Sequence, residues 1–472
     1  MLARRMVDPL QSAHVARVPR ALVLWLLGAC LWLLLSAAFH DVRSDDAFIT
    51  YRYGENLARG VGLVFNRDER ILGFTSPGHT LLAALAYALF GRDATPNVMA
   101  VLGCAAWSAE TVALYLLLQT AVVPAAAALC ALLVALGAAG GASWVVLETH
   151  FVVAAVLFAL WEAKREHWYS AAISCGIAVL FRPDAALAAA LILGVCLWRQ
   201  RLRGLGPCIL FVALCLPWTM FASSYYGSPL PQSALTKFQR APFLPYLMHV
   251  LSYPSQRLLW PESGVVAAWC ALGLAGCGAW TLVRRGLWLL PAYGLLHATA
   301  YSILRPFIQH GWHLYPWVLA CCACMAIGLA PIALNGATLR LRVLHVIRVA
   351  LCVGLLSIAA WRLSTEVQQL AAGYWTGQRD TAYQRIARFL RARAARGNAF
   401  ASIEVGTIGY YSDLRAFDLG GLVTRPGEPI AGHGVRFLVV DKLYPNIRPL
   451  VPPIFVASEG EFRAEVFELP RQ

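Results

Sequence analysis

Residues 21–53 read ALVLWLLGACLWLLLSAAFHDVRSDDAFITYRY, and the change of character at His40 sets how the whole chain is read. Ala21–Phe39 holds nineteen positions without a charge, enough as a helix to cross most of a ~30 Å hydrocarbon layer. Arg4, Arg5, Arg17 and Arg20 precede it and many apolar runs follow. It therefore reads as a retained first helix entering from the cytoplasm, not as a cleaved leader. Beyond it, Ser44 is a good N-cap, with Asp45 and Asp46 in the first turn where the helix dipole favours anions. Ile49, Tyr53 and Leu57 recur at i, i+4 and i+8, predicting an interfacial helix that ends near Gly60.

The totals agree with a membrane protein. Of 472 residues, 59% are hydrophobic and 14% charged, against about one quarter charged in soluble domains. Sixteen Trp and 17 Tyr suit two lipid–water interfaces. The net charge of +14 sits at the ends of apolar runs, the positive-inside pattern rather than a nucleic-acid footprint. All 13 Cys fall in apolar runs without metal-ligand spacing and read as small packing residues.

Apolar windows place further crossings near 98–119, 123–140, 145–161, 168–181, 185–198, 206–221, 263–283, 286–304, 313–334 and 343–361, about eleven in all. Gly78–Phe90 is apolar but short. If it does not cross, Lys164/Arg165, Arg199/Arg201/Arg203, Arg284/Arg285 and Arg340/Arg342/Arg348 all fall beside the cytoplasmic N-terminus. The same parity sends 40–77, Glu148, Arg182–Asp184, 223–262, 305–312 and everything after Arg362 outside. The chain thus divides into a cytoplasmic N-terminus (1–20), a helical membrane domain (21–361) whose first outer loop is 40–77, and a soluble tail (362–472). In the tail, Asp380 is expected to cap a helix through Leu390 with Gly397 as its stop. Strand-like runs follow at Phe400–Ile403, Phe437–Val440, Ile454–Ala457 and Ala464–Leu469, a small α/β domain.

Paired carboxylates just outside a membrane suit general-base work on an acceptor hydroxyl, with the partner orienting the acceptor or a metal ion. Helix-start electrostatics is the plainer explanation of the same pair. Glu110 lies inside an apolar run and needs a partner or a cavity, Arg92 being one candidate. His297 reads as a satisfied core residue. Phe307–His313 offers two histidines and Trp312 in an aromatic outer loop, with carboxylates far away in sequence. No nucleotide-binding glycine pattern or HExxH stands in a fitting context.

The stretch DDAFITYRYGENLARGVGLVFNRDERILGFTSPGHTLL resembles the first periplasmic loop of bacterial GT-C membrane glycosyltransferases, most closely the arabinofuranosyltransferase and mannosyltransferase-like group. The matching positions are Asp45, Asp46, Arg52, Tyr53, Asn56, Gly60, Gly62, Asn66, Glu69, Gly73, Phe74 and Thr75. Glu148-Thr149, Arg182-Pro183-Asp184, the YYGSPLP run from Tyr225 with Lys237 after it, IGYYSD at 408–413 and FDLGGLV at 417–423 resemble later blocks; Val146-Leu147 departs from the family's Gly-Met. The resemblance implies a GT-C membrane fold of about eleven helices with a periplasmic α/β tail, in a bacterial inner membrane. It implies inverting transfer of a sugar, a pentofuranose or mannose, from a polyprenyl-phosphate donor to a glycan, lipid-linked glycan or surface protein. Asp45 and Asp46 then form the catalytic centre, one of them the base. Arg52, Arg182, Lys237 and Arg305 are candidates for the donor phosphate, and Tyr53, Asn56, Glu69, Glu148 and Asp184 support them. A divalent metal stays open, and no nucleic acid is expected. The competing reading is a transporter or flippase of lipid-linked sugars, which would favour paired broken helices and an internal repeat.

Overall fold

In hydrocarbon a backbone must satisfy its own N–H and C=O groups, so apolar runs of this length become helices. The computed structural model describes residues 20–137, 142–232, 241–258, 265–306, 311–329, 376–395, 397–442 and 445–470, with scattered positions between 343 and 368. Its first part comprises α1 (Arg20–Phe39), α2 (Asp45–Ala58), α3 (Pro77–Leu118), α4 (Pro124–Gly137), α5 (Thr149–Lys164), α6 (Trp168–Phe181), α7 (Ala186–Gln200), α8 (Leu205–Tyr226), α9 (Phe243–Leu258), α10 (Val265–Arg284), α11 (Leu289–Leu304) and α12 (Tyr315–Leu329). Among the described residues, Thr95–Leu118, Val265–Arg284 and the α7–α8 run from Pro183 to Tyr226 are long and apolar enough to cross a bilayer. Trp25 and Leu34 on α1, Ile209 and Met220 on α8, and Val266 and Trp280 on α10 stand exposed, as lipid-facing side chains do.

α3 is two helices joined at Gly91, whose φ of 80° breaks the spiral. The first piece, Pro77–Phe90, is the segment on which the crossing count turns. It exposes Leu81, Leu85 and Leu89 along one stripe while Ala83, Ala84 and Ala86 pack inward. The outer loop expected at 223–262 instead contains α9. Its apolar residues sit on one face, where Tyr246 and Val250 pack inward, and a hydropathy window averages that pattern away.

Inside the bundle, Glu110 is buried. It pairs with His150 Nδ1 (2.8 Å) and accepts the Tyr315 hydroxyl (2.5 Å), while His150 stacks on Trp107. Arg92, the partner considered from sequence, binds Glu55 and Asp413 instead.

The tail folds as α13 (Thr376–Arg393), β1 (Ala399–Ser402), α14 (Gly406–Ser412), β2 (Arg415–Asp418), β3 (Val435–Asp441), β4 (Phe455–Glu459) and β5 (Phe462–Glu468). The sheet order is β2-β1-β3-β5-β4, with β1 parallel to both its neighbours and β5 antiparallel to both of its own. The four expected strands are present within a residue or two; β2 and α14 were not expected. Asp380 does not cap α13 but lies a turn inside it, where its carboxylate accepts from Gln384 and Thr407.

That joint also changes α2. Ile49, Tyr53, Leu63, Phe65 and Phe74 share one apolar core with Tyr383, Ile386, Phe400 and Phe437 of the tail. α2 is therefore buried on nearly every face instead of lying at an interface. Ser44 precedes it with an extended backbone, but its hydroxyl makes no capping bond.

Candidate functional site

Successive helical residues diverge by about 100°, and Asp45 and Asp46 take up different hydrogen-bonding and cavity positions. Asp45 is 4% exposed and points into the tail. Its Oδ2 accepts the Gly406 N–H (2.9 Å) and its Oδ1 the Thr407 N–H (2.8 Å), where α14 begins and its free N–H groups favour an anion. A Cβ on Gly406 would lie 1.9 Å from the Asp45 carbonyl oxygen, so only glycine permits this approach. Beside the pair, Glu404 sits 3.8 Å from Arg379. Burial, then the carboxyl groups of Asp45 and Asp46, push Glu404 well above the usual carboxylate range.

Asp46 is half-buried and lines a cavity of about 330 Å³ at the ends of the helices nearest the tail. Glu148, Arg182 and Asp184 line the same cavity, where loops placed far apart in sequence converge. Arg182 is 6% exposed; it donates to Asp184 Oδ2 (2.5 Å) and the Trp312 carbonyl (3.0 Å), with Glu148 at 3.9 Å. The Tyr301 hydroxyl also donates to Asp184 (2.8 Å). Burial pushes the Glu148 carboxyl up while Arg182 pulls against it. Asp184 is held from two sides, by the Arg182 guanidinium and the Tyr301 hydroxyl. The other walls are mainly apolar: Ile49, Phe74, Leu147, Leu230, Leu304 and Leu422. Leu422 comes from the tail, on a turn whose Leu422 and Val423 N–H groups are held by Asp418. The cavity thus gathers three acids, Asp46, Glu148 and Asp184, a restrained guanidinium and an apolar flank.

The remaining sequence candidates lie elsewhere. The Arg52 guanidinium points away from the cavity, into the joint, and donates to the carbonyls of Phe65 (2.9 Å) and Leu414 (2.7 Å). Asn56 holds the Val64 and Phe65 carbonyls, and Tyr53 bonds Ile71 and Gly73. Glu69 pairs with Arg415 and accepts from Asn66, whose amide brackets the backbone of Ala416 on edge strand β2. Arg305 adopts a left-handed backbone (φ 46°) between the cavity residues Leu304 and Pro306, its guanidinium over the Phe243 ring. Lys237 and Phe307–His310 lie outside the described residues. Sequence reasoning missed Thr50, Ser76, Tyr301 and Leu422 as cavity residues; only the FDLGGLV block gave a signal for the last. Among the described residues, no three His, Cys, Asp or Glu side chains gather as a metal site.

The architecture has solved counterparts. ArnT from Cupriavidus metallidurans bound to undecaprenyl phosphate superposes with a TM-score of 0.59 over 96% of this chain and 98% of its own, at 13% identity. The archaeal oligosaccharyltransferase AglB from Archaeoglobus fulgidus, in complex with an inhibitory peptide and a dolichol-phosphate, gives 0.57 over 88% and 69%, at 11% identity. This is the GT-C fold. Within it, residues 368–458 match a domain of unknown function, DUF8728. No curated protein matches the sequence. In this GT-C chain the tail and the first loop are built together, and the cavity lies where they meet the helix ends.

Proposed function

We propose that this protein is a membrane glycosyltransferase that takes a sugar from a polyprenyl-phosphate donor and passes it to an acceptor hydroxyl on the extracytoplasmic face. The observation that carries this reading is the placement of Asp46 in a largely apolar cavity that also holds Arg182, within a fold shared with a protein that binds undecaprenyl phosphate. Asp46 accepts the proton of the acceptor hydroxyl as the oxygen forms its bond to the anomeric carbon. The bond from that carbon to the phosphate oxygen breaks on the opposite face, so configuration inverts and polyprenyl phosphate departs with the electron pair. Arg182, held by Asp184 and the Trp312 carbonyl, offers a fixed cation for the phosphate. Glu148, raised by burial, can donate or accept a hydrogen bond at a sugar hydroxyl. The apolar wall takes the first prenyl units. Asp45 is the clamp that fixes α2, not the base. A pentofuranose or mannose donor follows from the resemblance of the first loop and is the first to try.

The test is consumption of polyprenyl-phosphate pentoses and hexoses by the purified protein in lipid nanodiscs. One donor of the panel should be turned over by the native chain and not by Asp46→Asn. Equal turnover in a folded Asp46→Asn would sink the assignment.

A further inference from the structure

A second face of α2 borders a different cavity, of about 400 Å³, between the first loop and the tail. Its size falls within the ~300–1,000 Å³ of small-molecule sites. Arg52, Asn56 and Glu69, marked in the sequence yet absent from the Asp46 cavity, all line it. The lining is almost wholly ionic or amide, and most of its charges answer one another. Glu55 and Asp413 are taken up by Arg59 and Arg92, and Glu69 by Arg415.

Three groups are left over. Arg52 is 8% exposed and meets only backbone carbonyls directly, with Nη1 unpartnered. Burial without a directly paired carboxylate pulls this guanidinium down to about 10, although Asp413 and Glu55 work against the shift. Arg67 and Asp68 stand exposed at the rim, and among the described residues their side chains make no hydrogen bond or ion pair. A buried cation with no direct counter-ion favours an oxyanion nearby. Donors and acceptors side by side suit hydroxyl groups, which do both. The one ring in the lining, Phe65, has one face taken by the Arg52 guanidinium at 4.4 Å, so the lining offers charge and hydrogen bonds far more than apolar surface.

The geometry points to a second, extracytoplasmic binding site, separate from the Asp46 cavity, for a saccharide that carries a carboxylate or a phosphate. The oxyanion sits against Arg67 within the field of Arg52, and the sugar hydroxyls reach Asp68 and Asn56. This site does not depend on the transferase reading, since none of its residues lines the Asp46 cavity.

The experiment is titration calorimetry on the full chain in nanodiscs with glucuronate, glucose 1-phosphate, inorganic phosphate and glucose. Both charged sugars should bind and compete with each other, while phosphate alone and glucose bind at least ~tenfold more weakly. Arg67→Ala should weaken the charged sugars ~tenfold. Arg52→Gln, which removes the charge, should do likewise in a folded protein, while Arg52→Lys, which keeps the charge, should retain more of the binding than Arg52→Gln. Asp46→Asn should bind as the native chain does. Silence from both charged sugars, phosphate or glucose binding as tightly as they do, an unchanged Arg67→Ala, or loss of binding in Asp46→Asn would each overturn the assignment.

Discussion

The two cavities bordering α2 are built in opposite ways. The one at Asp46 is mostly apolar with polar groups converging from six separate stretches of chain; the one at Arg52 is almost entirely charged and drawn from the first loop and the tail. Between them runs the joint, where the Asp45 carboxylate and the Tyr53 hydroxyl bond backbone groups and the Asn66 amide brackets Ala416. The first loop's dense run of marked residues is therefore mainly a device for holding a second domain, and a single acid of that run is turned toward the apolar cavity. A motif in sequence records everything that must stay fixed, and a joint needs more fixed atoms than a proton acceptor does.

Substitutions can separate the two roles. The largest effect is expected from Asp46→Asn, which should lower turnover of the donor by ~10²–10⁴-fold while the tail stays docked, read by rate assay beside limited proteolysis. Asp45→Ala should do the reverse. It leaves two buried N–H groups at the start of α14 without their acceptor, costs about 2–3 kcal/mol, and should make the linker to the tail cleavable before turnover of the remaining folded fraction changes much. Equal proteolysis of Asp45→Ala and native protein would remove the clamp. Gly406→Ala should resemble Asp45→Ala through sterics alone, by about 1–3 kcal/mol, since the added methyl meets the Asp45 carbonyl.

The smallest effect concerns pH. Burial raises Asp380 to about 6, against the pull of Arg43 and its bonds from Gln384 and Thr407. Between about pH 4 and 6 the folded state keeps a proton that the unfolded chain gives up, so stability falls as pH rises through that window. Asp380→Asn should flatten this slope and stabilise the tail at pH 7 by on the order of 1 kcal/mol, measured by thermal melts at both pH values. A slope that survives in Asp380→Asn would place its origin in another group.

Much of the fold was legible because its signals are local. Runs such as Ala21–Phe39 announce helices by length alone, and Phe437–Val440, inside β3, announces a strand by β-branched and aromatic residues. α9 was not, since an amphipathic helix has no long apolar run. β2 and α14 were not either, being only four and seven residues long, with two glycines in α14. In the site, Arg182 and Asp184 could be marked as a pair from their turn, but Tyr301 and Leu422 reach the same cavity from elements more than a hundred residues away.

The Asp-Asp pair shows the division most sharply. The sequence alone determined that two acids begin a helix just past the first apolar run, and that both stand near the outer surface if the charge pattern is obeyed. It could not determine which of them faces the cavity. Neighbouring residues on a helix differ by about 100°, so the answer depends on how α2 is rotated. That rotation is fixed by the N–H groups of Gly406 and Thr407, some 360 residues further along the chain, and by the shared core that seats the tail against the loop.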